Sequence, residues 1–163
     1  MQFQINDQVI HPVHGVARIA GIRNEEFFGG KPRLYYQVVA NNTTVWIPVD
    51  AQQAIGLRGL TAKRDLPRYR RLFKVPPTPL NNDHGKRHLE LSNRLKQRSF
   101  QAVCLVLRDL TARSMNKPLT GADTALLQKV REDFEQEWAA ASGKSIDAAR
   151  AEVETMLQHA RKP

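Results

Sequence analysis

The chain has 163 residues, of which 41% are hydrophobic, and a formal net charge of +9. It is long enough for one ordinary domain or two small ones with a packed core. No apolar run approaches the roughly 20 residues that cross a bilayer, and the N-terminus lacks a signal-peptide pattern, so we expect a cytoplasmic protein without membrane contact. The single cysteine, Cys104, excludes an internal disulfide and a cysteine-based zinc site.

The positive charge is concentrated in the middle of the chain. Residues 56–98 contain twelve Lys or Arg and three Asp or Glu, whereas acidic and basic residues balance in residues 1–55 and again in residues 99–163. Such a basic block is either a well-solvated face or a surface that binds a polyanion. We favour the polyanion, because the whole excess lies in about a quarter of the chain.

The first third of the chain has the pattern of a small β module. Its runs of Val, Ile, Tyr and Thr are separated by Gly, Asn and Pro, and none of them has sustained helical spacing. The candidate strands are residues 7–11, 16–22, 33–40 and 43–49. Short strands that are joined by tight turns predict a small, strongly bent sheet or barrel.

The stretch HPVHG, residues 11–15, brings His11 and His14 within three positions of each other. A metal site needs further ligands, and a catalytic histidine needs an activated nucleophile and an orienting carboxylate, none of which stands nearby in a recognisable motif. Pro12 and Gly15 favour a turn between two strands, because proline fixes its own φ and glycine tolerates a positive φ. We therefore expect a turn here, with no metal, no cofactor and no catalysis.

Alternation assigns the two faces of the fourth predicted strand. Three aliphatic residues point to one side: Val45, Ile47 and Val49. If they form the core, Trp46 lies on the outer face, where it either covers the barrel or the second domain, or marks a protein-binding surface. Pro48 favours an edge position, which leaves the strand open to a partner's strand.

The rest of the chain has helical periodicity. Helices are predicted for residues 66–74, 84–98 and 100–113, and for two further stretches that begin near Thr120 and Ser145. We expect Leu89, Leu91 and Leu95 to face a core in the second of these helices. The chain is thus predicted to be an α+β protein, with a small bent sheet or barrel in residues 1–55 and a compact all-α module in residues 56–163.

The order of these features resembles the CarD/CdnL family of bacterial transcription regulators, which bind RNA polymerase and share their β module with transcription-repair coupling factor. The matching stretches are INDQVIHPVHGVARIAGI, YYQV, TTVWIPVD, IGLR, RLKQRSFQAVCLVLRDLTAR, PLTGAD and EWAAA, in the same order over nearly the whole chain. The resemblance implies a Tudor-like N-terminal module that docks on the polymerase β subunit. It also implies a helical module that touches promoter DNA near the upstream edge of the transcription bubble and so helps to stabilise the open complex.

The resemblance also implies where the polymerase contact lies. Positions that are often basic in the family are occupied here by Glu25 and Trp46, with Arg23 and Arg33 as neighbouring basic side chains. We expect these four residues to contact the β subunit. A regulator of this kind is a non-enzymatic monomer without a cofactor, and it is associated with the nucleoid through RNA polymerase.

The DNA contact is expected at the start of the helix predicted for residues 84–98. The tryptophan that wedges into the minor groove in the family is replaced by His84, and the basic pair that follows survives as Lys86 and Arg87. We expect Arg94 on the same helix to contact DNA too, whereas Thr124 replaces a basic residue that family members carry in the long helix. An imidazole buries less apolar surface than an indole, so the wedge should be weaker.

Two other functions remain open from the residues alone. The first is a general nucleic-acid-binding protein without polymerase contact, but a barrel that faces RNA should itself be basic, and residues 1–55 are neutral. The second is an enzyme that uses His11 and His14 as ligands or acid-base groups. No carboxylate pair, phosphate loop or metal constellation accompanies these histidines.

Overall fold

The structure is a computed structural model that describes residues 2–27 and 29–161. The chain divides between Leu60 and Thr61 into two compact units. The first unit is built on an antiparallel sheet and the second is helical, which confirms the predicted α+β class. The sheet unit extends five residues beyond the boundary expected from the sequence, because Arg58 pairs with Ile10 in the sheet.

The described part of the first unit contains five strands in the order β4-β3-β2-β1-β5. Their bounds are Gln8–His11 for β1, Gly15–Glu25 for β2, Arg33–Ala40 for β3, Thr43–Pro48 for β4 and Arg58–Gly59 for β5. A 3-10 turn, Val49–Ala51, and the short helix α1, Gln52–Ile55, connect β4 to β5. The strand with Pro48 therefore lies at an edge of the sheet, as the sequence predicted.

One face of the sheet forms the core of the first unit. Its buried residues are Phe3, Val9, Ala17, Ile19, Tyr36, Val38, Ala40, Ile47 and Leu57. Val45 and Val49 pack against this cluster, which confirms that the aliphatic side of β4 faces inward and places Trp46 on the outer face. A bulge between Ile19 and Gly21 adds a residue to β2, and such a bulge bends its strand.

The HPVHG turn joins β1 to β2, as predicted. Gly15 has a φ of +73°, and the Nδ1 atom of His11 accepts hydrogen bonds from the backbone N–H groups of Val13, at 3.0 Å, and His14, at 3.1 Å. Burial of the His11 ring, together with the nearby His14, lowers the pKa of His11. The neutral form is the one that the turn requires, because a protonated Nδ1 cannot accept a hydrogen bond.

The described part of the second unit contains five helices. They are α2 (Leu66–Leu72), α3 (His84–Leu95), α4 (Phe100–Asn116), α5 (Gly121–Ser142) and α6 (Ile146–Arg161). The side chains of Asp83, Ser99 and Thr120 each accept a hydrogen bond from the backbone N–H three residues later, so they cap α3, α4 and α5. None of the described helices is long and apolar enough to span a membrane.

Stacked aromatic rings occupy the core of the helical unit. Phe134 stacks on Phe100 and Trp138, with ring centroids 5.1 and 5.5 Å apart, and Phe73 meets Phe134 edge-on at 5.4 Å. Such pairs contribute about 0.5–1.5 kcal/mol each beyond their burial. The prediction that Leu89 faces a core is wrong. Its side chain is largely exposed, because the buried side of α3 is the one that carries Arg87 and Leu91.

A buried ion network on α4 holds the proline-rich connection between α2 and α3. The carboxylate of Asp109 accepts hydrogen bonds from the Thr78 backbone N–H, at 3.0 Å, from Arg108, at 2.8 Å, and from Arg94, at 2.8 Å. Arg108 also donates to the carbonyl oxygen of Leu72, at 3.2 Å. The end of α2, the connection and α3 are therefore all hydrogen-bonded to one pair of α4 residues.

Candidate functional site

Three aromatic side chains form a cluster on the outer face of the sheet. The ring of Trp46 lies 5.7 Å from that of Phe27, and Phe27 meets Tyr35 edge-on at 4.9 Å. The β3–β4 register places Trp46 opposite Gln37 and Tyr35 opposite Pro48. All three rings are only partly buried within the chain, so each keeps apolar surface that a partner can cover.

Charged residues extend this aromatic cluster along the same face. The β2–β3 register places Arg23 opposite Tyr35 and Glu25 opposite Arg33, and alternation puts all four on the outer side. Arg33 forms an exposed ion pair with Asp50, at 2.6 Å, and its guanidinium lies 6.0 Å from the Tyr35 ring. The structure thus brings the four residues expected to contact polymerase, Arg23, Glu25, Arg33 and Trp46, onto one face.

The N-terminal end of α3 exposes two of the residues that were expected to contact DNA. His84 is the first residue of the helix, and the Asp83 cap accepts a hydrogen bond from the backbone N–H of Lys86, at 2.8 Å. The His88 ring lies one turn further on, with its centroid 6.4 Å from that of His84. In the described part of the chain, neither His84 nor Lys86 uses its side chain in an ion pair, so both are available to a ligand.

Arg87, in contrast, is a structural residue. Its side chain is 3% exposed, and its Nε and Nη2 atoms bind the Asp123 carboxylate at 2.9 and 2.8 Å. Its Nη1 atom donates to the carbonyl oxygens of Asn81, at 2.9 Å, and Asn82, at 3.1 Å. This burial disfavours the predicted DNA contact at Arg87, because the guanidinium is enclosed and already hydrogen-bonded. It holds the loop that precedes His84 instead.

Arg94 also has a structural partner. It donates to the buried carboxylate of Asp109 at 2.8 Å, and only 22% of its side chain is exposed. A DNA contact at Arg94 stays a prediction, and the ion pair disfavours it, because moving the guanidinium to a phosphate would leave a buried carboxylate with one partner fewer. Of the four residues expected at the DNA contact, His84 and Lys86 remain accessible.

Comparison with known proteins supports the same division of the chain. Residues 3–60 match the family described as the CarD-like/TRCF RID domain, and residues 70–162 match the CarD C-terminal domain. The chain belongs to the CarD family. A Bacillus subtilis (strain 168) protein named "Putative transcription factor YdeB" is 25% identical over 131 residues, which are 80% of this chain and 86% of that protein.

Membership of the CarD family confirms the resemblance drawn from the sequence motifs. It identifies the chain as a regulator of transcription whose sheet unit is of the RNA-polymerase-interacting class. The matched segment 3–60 coincides with the compact sheet unit, so β5 belongs to that domain. Within the described residues of this CarD-family chain, no group of three His, Cys, Asp or Glu side chains could hold a metal ion.

Several residues that the sequence did not single out surround the two regions that are expected to contact polymerase and DNA in this CarD-family chain. Phe27 follows the end of β2, and Tyr35 is one of two adjacent tyrosines that strand alternation sends to opposite faces. At the α3 end, Arg113 of α4 and Lys117, which follows α4, both donate to the side-chain oxygen of Asn82. The adjacent tyrosines 35 and 36 indicate from the sequence that one of the two rings lies on the outer face. The approach of α4 to Asn82, in contrast, is visible only in the folded chain.

Proposed function

We propose that this CarD-family chain binds the β subunit of RNA polymerase through the outer face of β2, β3 and β4. It also contacts promoter DNA through the N-terminal end of α3. The observation that carries this proposal is the gathering of Arg23, Glu25, Arg33 and Trp46 on one face, around an aromatic cluster. By bridging polymerase and DNA, the protein stabilises the open promoter complex.

The outer face has the composition of a protein interface. Tryptophan, tyrosine and arginine are the residue types most enriched among those that dominate binding energy, and Trp46, Tyr35 and Arg33 lie together here. The edge strand β4 has unpaired backbone groups along one side, to which a strand of the β subunit can add. Main-chain pairing at this edge and side-chain contacts on the face would then act together.

The end of α3 supplies the DNA contact. His84 stands at the helix N-terminus, where it can stack on or hydrogen-bond to a base at the bubble edge, and Lys86 supplies a charge for a phosphate. A protein that binds the open complex more tightly than the closed complex shifts the equilibrium toward the open one by its differential affinity. Stabilisation of this kind requires no catalytic group.

The polymerase contact is tested by capture of the purified β subunit on the immobilised full-length chain. Trp46→Ala should weaken capture about tenfold or more, because it removes a central aromatic side chain from the proposed interface. Thr44→Ala is the matched control, since Thr44 is exposed on the same side of the same strand, outside the aromatic cluster. Equal capture by wild type and Trp46→Ala, with circular dichroism showing both folded, would contradict the proposed face.

The same assay distinguishes the alternative function, a general nucleic-acid-binding protein. That alternative predicts DNA or RNA binding without any capture of the β subunit by wild type. The sheet unit does not favour it, because residues 1–60 carry a net charge of only +1, whereas residues 61–163 carry +8.

A further inference from the structure

We propose that a second DNA-binding surface lies on α2 and the turns on either side of it. Its members are the exposed cations Lys63, Arg64, Arg68, Arg71 and Lys74, which we call the α2 basic face. The face binds the phosphates of duplex DNA next to the contact at α3. This inference rests on the proposed function, from which it takes promoter DNA as the ligand.

The distribution of charge in the folded chain leads to this surface. Arg87 and Arg94 are held by the buried carboxylates of Asp123 and Asp109, so they add little to the field at the surface. Residues 61–82 contain six Lys or Arg and a single acid, Asp65. The uncompensated charge of the basic segment is therefore concentrated around α2 rather than along α3.

Two of the arginines share one side of α2. Arg68 and Arg71 are three residues apart in the helix, which brings their side chains onto the same face, and Arg64 lies in the 3-10 turn, Lys63–Asp65, that leads into it. The opposite side of α2 carries Leu66 and Phe73, both buried in the helical unit. The α2 basic face is thus the solvent side of a helix whose other side is fixed in the core.

Arg70 is a cation of the same helix whose charge is paired within the chain. Its guanidinium binds Glu152 at 2.9 Å and lies 5.3 Å from the Trp138 ring. Burial alone would raise the pKa of Glu152, but the hydrogen bonds from Lys144, Trp138 and Arg70 lower it to about 2. Glu152 is therefore ionised and holds Arg70, and Arg70 is not part of the α2 basic face.

The members of the α2 basic face have no such partners. In the described residues, Lys63, Arg64, Arg71 and Lys74 form no ion pair and no side-chain hydrogen bond. Arg68 donates to the hydroxyl of its neighbour Tyr69, at 3.0 Å, and lies over that ring. Five like charges between Lys63 and Lys74 repel each other, and a row of phosphates would remove that repulsion.

The length of the row suits a nucleic-acid backbone. From Arg64 in the 3-10 turn to Arg71 in α2 the chain rises roughly 10–14 Å, at about 1.5 to 2.0 Å per residue. Successive phosphates of one strand rise about 3.4 Å along the axis of B-DNA, so the row can follow about three of them. Guanidinium groups bind phosphate oxygens through two parallel hydrogen bonds, which favours arginine at such positions.

The ion network on α4 joins the two DNA-contacting regions. Arg108 binds the Leu72 carbonyl at the end of α2, while Asp109 binds Arg94 of α3 and the backbone of Thr78 in between. Both helices are therefore fixed to the same part of α4. When His84 and Lys86 engage DNA, the α2 basic face is presented to the same duplex at high effective concentration.

Duplex DNA fits the α2 basic face better than a membrane or single-stranded RNA does. A membrane-surface helix needs apolar residues that are free to insert, whereas Leu66 and Phe73 are buried. Single strands are held largely by stacking on exposed aromatic rings. The ring of Tyr69, beside Arg68, packs edge-on against Phe100 at 4.9 Å.

The inference is tested with the full-length chain and a fluorescent 30-base-pair promoter duplex, by anisotropy over a range of salt concentrations. The variant R64Q/R68Q/R71Q should bind about tenfold or more weakly, and its log–log salt slope should be shallower by about 2 to 3, because roughly 0.9 of slope accompanies each phosphate contact. The control R18Q/K31Q/K129Q removes the same charge from other exposed positions and should keep the wild-type slope. Circular dichroism establishes that both are folded.

Three outcomes would overturn the inference, and they are distinguishable. If the triple variant keeps the slope of the control while Lys86→Gln weakens binding, the α2 basic face is wrong and the α3 contact stands. If wild type binds no DNA, or binds it with a salt slope near zero, the DNA part of the proposed function fails as well. If a single-stranded RNA of the same charge binds more tightly and loses more affinity in the triple variant than the duplex does, the assignment to DNA is wrong.

Discussion

The guanidinium of Arg87 and the carboxylate of Asp123 form a buried ion pair that joins α3 to α5. The Nη2 to Oδ2 distance is 2.8 Å, and the two side chains are 3% and 0% exposed. The same guanidinium binds the carbonyl oxygens of Asn81 and Asn82, immediately before the helix end that carries His84. A cation of the basic segment is therefore neutralised within the fold, and it holds the loop that precedes His84.

Removal of Arg87 should destabilise the helical unit strongly. Arg87→Met leaves the carboxylate of Asp123 buried without its cation, which costs about 3–5 kcal/mol of the free energy of unfolding. Denaturant unfolding of the full chain measures this loss. The double variant Arg87→Met/Asp123→Leu should recover much of it, and Lys86→Met should change stability by less than about 0.5 kcal/mol. A small effect of Arg87→Met alone would contradict a structural role for the pair.

Binding to duplex DNA should depend steeply on salt. If about six cations contact phosphates, the log of the binding constant should fall against the log of the salt concentration with a slope near −5. Lys86→Gln should make this slope shallower by about 0.9. Lys129→Gln is the control, because Lys129 is exposed on α5 and paired with Asp133. A wild-type slope near zero would rule out a phosphate contact of this size.

Replacement of His84 by tryptophan should strengthen binding at a strand junction. An indole at this exposed helix end can bury more apolar surface against a base step than an imidazole, with a gain of about 1 kcal/mol or roughly fivefold in affinity. His84→Trp and His84→Ala are compared on a duplex with an internal bubble and on the matched closed duplex. We expect His84→Trp to bind the bubble DNA more tightly than wild type does, and to bind the closed duplex with unchanged affinity. An equal change on both DNAs would show that position 84 does not reach the junction.

The stability of the sheet unit should decrease on mild acidification because of His11. Its pKa is lowered from 6.5 in the folded chain, so the unfolded chain binds more protons in this range. The stabilisation by the neutral ring is thus fully present above about pH 6.5 and is lost as the pH falls toward the lowered pKa. Thermal unfolding at pH 7 and pH 5 should show a larger decrease for wild type than for His11→Asn.

A second variant separates His11 from its neighbour. His14 is exposed and accepts no turn hydrogen bond with its ring, so His14→Asn should keep most of the pH dependence of wild type. The His11 ring should also appear in nitrogen-detected NMR as the tautomer with an unprotonated Nδ1, because that atom accepts from two backbone N–H groups. Identical pH dependence in wild type and His11→Asn would contradict this role.

Local patterns were sufficient for much of the fold. Strand alternation in β4 assigned Ile47 to the core and Trp46 to the outer face, and the starts of α3, α4 and α5 have the capping residues Asp83, Ser99 and Thr120 immediately before them. These features depend on neighbours within a few residues, so they can be predicted directly from the sequence. The HPVHG turn is of the same kind, since Gly15 and the His11 ring act on backbone groups no more than three residues away.

The roles of the basic residues depended on contacts that are distant in sequence. Lys86 and Arg87 are adjacent, yet one is exposed and the other is bound to Asp123, which is 36 residues away. Arg70 and Arg71 differ in the same way, because Arg70 meets Glu152 of α6 whereas Arg71 faces solvent. Charge counting could locate the basic segment, but it could not say which cations were already neutralised by the fold.

The sequence by itself thus determined the two-part α+β organisation, the turn at HPVHG, the outward position of Trp46 and the resemblance to the CarD family. Only the tertiary structure decided that Arg87 and Arg94 serve the helical core, that Phe27 and Tyr35 join Trp46, and that free positive charge is concentrated on α2. The physical reason is the range of the interactions. Periodicity, caps and turns are set by neighbours along the chain, whereas the partner of a charge or a ring is set by packing between distant elements.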